Sequence, residues 1–197
     1  MINLATVYWM LVIFIAFSAM LRGWTKEIIA TSGLMLSLFI IYQFGYPIST
    51  KLGLVATNMI DPAQFEIRRR QFYLLGGMHL LIVFFSYQGP TLSGKLAGRL
   101  RVRDGFQDKF MAFIVGGING YLIIGLLWSL LEYVLKADFV ERLQPDAPYP
   151  FDLAIIMRPE MDQSMEWLMG TLPLFLIGPY APYLLVAAFL FVIIVII

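Results

Sequence analysis

His79 is the chain's single histidine, set in an apolar stretch behind Gly76 and Gly77. A neutral imidazole there could be the axial ligand of a tetrapyrrole metal, with the glycines making room for a macrocycle, or one station of a proton relay. One histidine cannot give bis-histidine haem ligation, and no acid shares its apolar run. The reading adopted is an imidazole hydrogen-bonded from helix to helix, with a tetrapyrrole contact at His79 as the alternative. The chain has no cysteine, which removes disulfides, thiolate nucleophiles and zinc-thiolate or iron–sulfur sites. No catalytic residue and no metal ligand is assigned, and no cofactor is expected beyond that alternative.

The other chemistry-bearing residues lie at the ends of apolar runs. Arg22, Gly23, Trp24, Lys26 and Glu27 turn one run into the next within a few residues. Gly23 supplies a permissive backbone, Thr25 is the expected helix cap, and Glu27 falls near the positive start of the second helix. Arg22 and Trp24 suit headgroup depth. Between the third and fourth runs, Lys95, Arg99, Arg101 and Arg103 alternate with apolar residues, a pattern that lays stems in the interface and cations on lipid phosphates. Gly94 and Lys95 lack the glycine-rich context of a phosphate loop, so nucleotide binding is rejected. In the fourth run, Ala112, Gly116 and Gly120 recur every four residues with Gly117 beside them, a face on which another helix can pack closely. That helix could come from this chain or from a second subunit. Asn119 borders the face, and its amide needs a partner inside the bundle.

Positioning these residues requires membrane-spanning helices. Of the 197 residues, 60% are hydrophobic and 14% charged, against about 25% charged in soluble domains. The charges nearly balance, 14 Lys and Arg against 13 Asp and Glu, so no global field attracts nucleic acid. A bilayer core about 30 Å thick needs roughly 20 apolar helical residues. Uncharged runs at about 3–21, 28–46, 71–88 and 110–131 meet that need, with Pro47 expected to end the second and Gly89-Pro90 the third. The run 174–197 is expected to form a fifth, Pro-kinked C-terminal span, with Pro179 and Pro182 in its first turns. Nothing basic precedes Arg22, so the first run reads as a retained span and not as a signal peptide. The fold class is an all-α integral membrane protein: residues 1–135 hold four spans, 136–173 an acidic connection, and 174–197 the fifth.

Within the connection, Met161, Met165, Leu168 and Leu172 recur at helical spacing opposite Glu160, Asp162 and Glu166, with Trp167 as an interface anchor. This predicts a short amphipathic helix, and its acidic face favours docking on protein over anionic lipid. Basic residues in the short connections place the first and third in the cytoplasm, with the N-terminus and the acidic connection outside. The Arg68, Arg69 and Arg70 cluster in the second connection runs against that assignment.

The pattern Arg22, Gly23, Trp24, Lys26, Glu27, followed by Gly105, Asp108, Lys109 and the small-residue fourth helix, resembles the colicin V production (CvpA) family over about residues 1–135. The resemblance implies a multi-pass protein of the bacterial inner (cytoplasmic) membrane, associated with bacteriocin production and envelope physiology, and no established catalytic residue or cofactor. The expected function is therefore non-enzymatic support of export or envelope homeostasis, through packing with itself as a homo-oligomer or with a membrane-protein partner in a transport apparatus. Membrane lipids are its other partners. Two alternatives come from other classes: an accessory subunit of an energy-converting or photosynthetic complex, suggested by His79 and the C-terminal run, and an oligomeric channel.

Overall fold

A computed structural model of the chain describes residues 4–92, 105–152 and 156–196. Four long helices dominate: α1 (Leu4–Arg22), α2 (Trp24–Lys51), α3 (Phe65–Leu92) and α4 (Phe106–Glu132). α1, α2 and α4 are long and apolar enough to cross a membrane. Gln71, His79 and Gln88 make α3 more polar. The expectation of an all-helical chain misses one feature. After α4 the chain forms a two-stranded antiparallel hairpin, β1 (Tyr133–Leu135) paired with β2 (Val140–Arg142).

α1 and α4 run antiparallel, and their contact depends on missing side chains. A Cβ built on Gly116 would lie 2.2 Å from the Cβ of Ala19, and one on Gly120 would lie 3.0 Å from the Val12 carbonyl oxygen. Ala112 is fully buried, whereas Gly117 only skirts Ala16. The partner helix for the small-residue face is therefore α1 of the same chain. α2 and α3 approach in the same way, where a Cβ on Gly33 would collide with Ser86. Such contacts bring backbones together and gain dispersion, the main attraction left between helices in lipid.

Two prolines do not end helices where the sequence suggested. α2 continues through Pro47 to Lys51, and α3 continues to Leu92. Within a helix a proline removes one backbone donor, and packing against neighbouring helices compensates in a bundle. Near Pro47, Gly45 lets α2 close onto Leu135 of the hairpin. The C-terminal run is broken rather than simply kinked. The amphipathic helix α5 (Gln163–Gly170) leads into α6 (Pro173–Leu176), a 3₁₀ turn at Gly178–Tyr180, and α7 (Ala181–Ile196). Gly178 makes the break possible by fitting against the ring of Tyr42. At about 1.5 Å per residue, the 16 residues of α7 reach about 24 Å.

The broken backbone is not left unsatisfied. Tyr121 donates to the Thr171 carbonyl at 2.5 Å and Tyr133 to the Met169 carbonyl at 2.7 Å, while Ser129 accepts from the Leu174 amide at 3.3 Å. Irregular backbone survives at membrane depth only when protein supplies its partners. α5 is shorter than the apolar stripe suggested: Met165 and Leu168 are buried within it and Trp167 is exposed, while Met161 and Leu172 fall outside its ends. Asp162 caps it by accepting from the Met165 amide, a bond that holds its carboxyl below the usual range.

Because Gly116 is closed by α1 of the same chain, Gly116→Leu should unseat α1 within one molecule. The expected loss exceeds the about 1–3 kcal/mol typical of overpacking and should appear as a lower unfolding temperature in detergent with membrane insertion retained. An unchanged unfolding temperature would show that this contact is unimportant.

Candidate functional site

The four long helices meet in a buried polar cluster at the end of the bundle that holds the α1–α2 turn. Gly23 makes the turn with a φ of 87°, a left-handed conformation that suits glycine. It is also the N-cap of α2, so the expected cap at Thr25 is corrected: the helix begins two residues earlier, and Thr25 is buried in its first turn. The turn folds Arg22 back onto Glu27, whose side chain is fully buried, with Nη2 and Oε1 2.7 Å apart. From α4, Asn119 donates through Nδ2 to Glu27 Oε2 at 2.9 Å and to the Glu27 carbonyl at 3.0 Å. Its Oδ1 accepts from Thr31 at 2.7 Å. From α3, the Tyr87 hydroxyl donates to Oε2 at 3.2 Å, and its ring carries the Arg22 guanidinium 4.2 Å above its centroid.

One carboxylate thus gathers donors from the end of α1, from α3 and from α4 while it sits on α2. A buried charge is tolerated only with such pairing, and removing one partner costs more than the pair gained in forming. The arrangement holds helices together and presents no activated nucleophile. Gly23 also brings together the two halves of the sequence motif, because a Cβ on it would meet Asp108 of α4 at 3.3 Å. Trp24 and Lys26 are partly exposed beside the turn, and Lys109 is exposed at the start of α4. Lys95, Arg99, Arg101 and Arg103 lie outside the described residues. Thr31 and Tyr87 were not singled out from sequence. Thr31 was findable, since it stands one helical turn after Glu27, whereas Tyr87 carried no signal beyond its place near the end of the third run.

His79 is fully buried between helices. Ser37 donates to Nδ1 at 2.7 Å and Nε2–H donates to the Ile123 carbonyl at 3.1 Å, an assignment fixed by the carbonyl's inability to donate. Both ring nitrogens are engaged, so a metal would have to displace one of them. Among the described residues no group of three or more His, Asp or Glu is placed to hold a metal ion.

At the opposite end, a second buried carboxylate organises the connections into a cap. Glu132 ends α4 and receives Arg142 Nε at 3.0 Å, Arg158 Nη2 at 2.7 Å and the Tyr149 hydroxyl at 2.9 Å. Burial, and then the Glu132 carboxylate, push the Tyr149 hydroxyl up from its ordinary value. Arg158 also donates to the carbonyls of Gln144 and Ala147. Arg68, buried, bridges the Met59 and Pro148 carbonyls at 2.7 and 2.9 Å, which ties the second connection to the fourth.

The family model described as Colicin V production protein matches residues 5–144. No curated protein and no solved structure matches the chain.

If the Glu27 cluster locks the helices, Asn119→Leu should cost about 1–2 kcal/mol, the scale of a strong interhelical hydrogen bond in a membrane. Glu27→Leu, which strands Arg22, should cost more, toward the lower end of about 3–5 kcal/mol because Arg22 is about a third exposed. Unfolding titrations of both variants in bicelles check the order, and equal or negligible losses would remove the lock.

Proposed function

The chain belongs to the Colicin V production protein family, and from that premise we propose a non-enzymatic, multi-pass protein of the bacterial inner membrane. It supports export or envelope homeostasis by packing with itself or with a transport apparatus. In this reading α3 and the broken α6–α7 segment complete a core of four spans plus one. The observation that carries it is the division of side chains. Inside the bundle Glu27 is met by Arg22 and Asn119, and His79 by Ser37, while Phe14 and Phe17 of α1, Phe84 and Phe85 of α3 and Phe189 and Ile194 of α7 face outward. Such surfaces suit lipid and other helices.

The small-residue face of α4 is covered by α1, so a partner must meet other surfaces. The geometry also bears on orientation. Arg68 bridges two loops and Arg69 and Arg70 pair with Glu66, which weakens the basic cluster as a cytoplasmic signal. With Lys26 and Lys109 at the other end, the reading puts the cap outside the cytoplasm.

Purification from native membranes in a mild detergent, followed by native electrophoresis and mass spectrometry, tests the proposal. It expects a colourless particle with more than one copy of the chain or with export components. A solitary monomer would contradict it, and co-migration with a pigmented complex would favour the accessory-subunit reading instead.

A further inference from the structure

The hairpin and the second connection enclose a cavity of about 350 Å³, within the range of about 300–1,000 Å³ for small-molecule pockets. Val134 lies opposite Glu141, so the two-residue period of a strand puts Val134, Lys136, Glu141 and Leu143 on one face of the hairpin, and all four line the cavity. Thr57, Asn58 and Met59 supply the other wall. That wall is fixed in place. Gln64 Oε1 accepts from the Thr57 and Asn58 amides at 2.6 and 3.2 Å, and the buried Arg68 donates to the Met59 carbonyl at 2.7 Å. A wall held by its own neighbours needs little ordering when a ligand enters, which saves affinity.

Both signs of charge are on offer inside it. Lys136 Nζ and Glu141 Oε2 stand 3.3 Å apart, longer than the about 2.7–2.9 Å of a tight charge-assisted bond. Both side chains are about half exposed, and among the described residues neither has a second ionic partner. Arg142, the other lining cation, is already taken, because Glu132 and Glu166 hold its guanidinium at 3.0 and 2.6 Å. The cavity therefore presents one ammonium beside one carboxylate. Gln144 and Asn58 add amides, and the Asn58 Oδ1 is occupied by the Ile60 amide at 3.0 Å, which leaves its Nδ2 to donate. Met59, Val134 and Leu143 add apolar surface. A simple anion at Lys136 meets the repulsion of Glu141, and a simple cation at Glu141 meets that of Lys136. A ligand that carries both charges satisfies both residues.

We propose that this cavity binds a small zwitterion, a free α-amino acid with an aliphatic side chain. Its carboxylate pairs with Lys136 and its ammonium with Glu141, while its side chain lies against Met59, Val134 and Leu143. The two charges of an α-amino acid flank a single carbon, a separation that suits a protein ion pair 3.3 Å across. The inference rests neither on the export reading nor on which side of the membrane the cap occupies.

The test uses the full chain in nanodiscs and radiolabelled L-leucine, with binding read by scintillation proximity. Leucine should bind saturably. N-acetyl-L-leucine, which lacks the ammonium, and L-leucinamide, which lacks the carboxylate, should each compete at least about tenfold more weakly, the size of one lost charge-assisted hydrogen bond. Glu141→Gln should weaken leucine by a similar factor and erase its advantage over N-acetyl-L-leucine, whereas Lys136→Met should erase its advantage over L-leucinamide. A half-exposed ion pair adds little to stability, so both variants should keep the parent unfolding temperature. The comparison of the three ligands on the unaltered protein keeps the test decisive even if a variant disturbs the cap. No saturable leucine binding, equal competition by all three ligands, or parent-like affinity and selectivity in both variants would overturn the proposal.

Discussion

Burial of the Glu27 carboxylate is the constraint around which the bundle is arranged. Removing an ionised group from water costs several kcal/mol even after relaxation, so the fold is stable only where donors converge on it. Arg22, Tyr87 and Asn119 converge from three helices. Each carries a geometric condition. Arg22 needs the left-handed turn at Gly23, Asn119 needs α4 close to α2, and Tyr87 needs α3 laid along α2. The turn, the close packing of α4 on α1 and the clearance at Gly33 are therefore linked through one charged group.

The opposite end repeats the principle outside the apolar runs. Glu132 stops α4 and becomes the hub on which Arg142, Arg158 and Tyr149 close. Polar side chains then allow irregular backbone to enter the bundle, where Tyr121, Tyr133 and Ser129 supply the partners that a continuous helix would have provided for itself. The cap and the broken C-terminal segment are thus coupled to α4, whose residues contribute to both polar hubs and to the break.

Much of this was legible in sequence because lipid imposes simple rules. The four long helices follow from uncharged runs, the α4 face from the spacing of Ala112, Gly116 and Gly120, and α5 from its apolar period. Asn119 was identified as needing a partner, although the identity of that partner was not readable. A contact between residues 27 and 119 is set by tertiary packing and leaves no local trace. The hairpin was missed because three-residue strands are shorter than any periodicity can establish. Pro47 misled because its local cost is outweighed by neighbouring helices, and the C-terminal run reads in sequence as one kinked helix, not a broken one, because hydropathy does not record the close fit of Gly178 against Tyr42.

The most direct test of the account is a double-mutant cycle between Glu27→Gln and Asn119→Leu, measured by reversible unfolding in a bilayer mimic. Residues sharing one hydrogen-bonded network should be non-additive, with a coupling of about 1–2 kcal/mol. Additivity within about 0.3 kcal/mol would mean that the carboxylate and the amide act independently, and that the helices are held by packing without the polar lock.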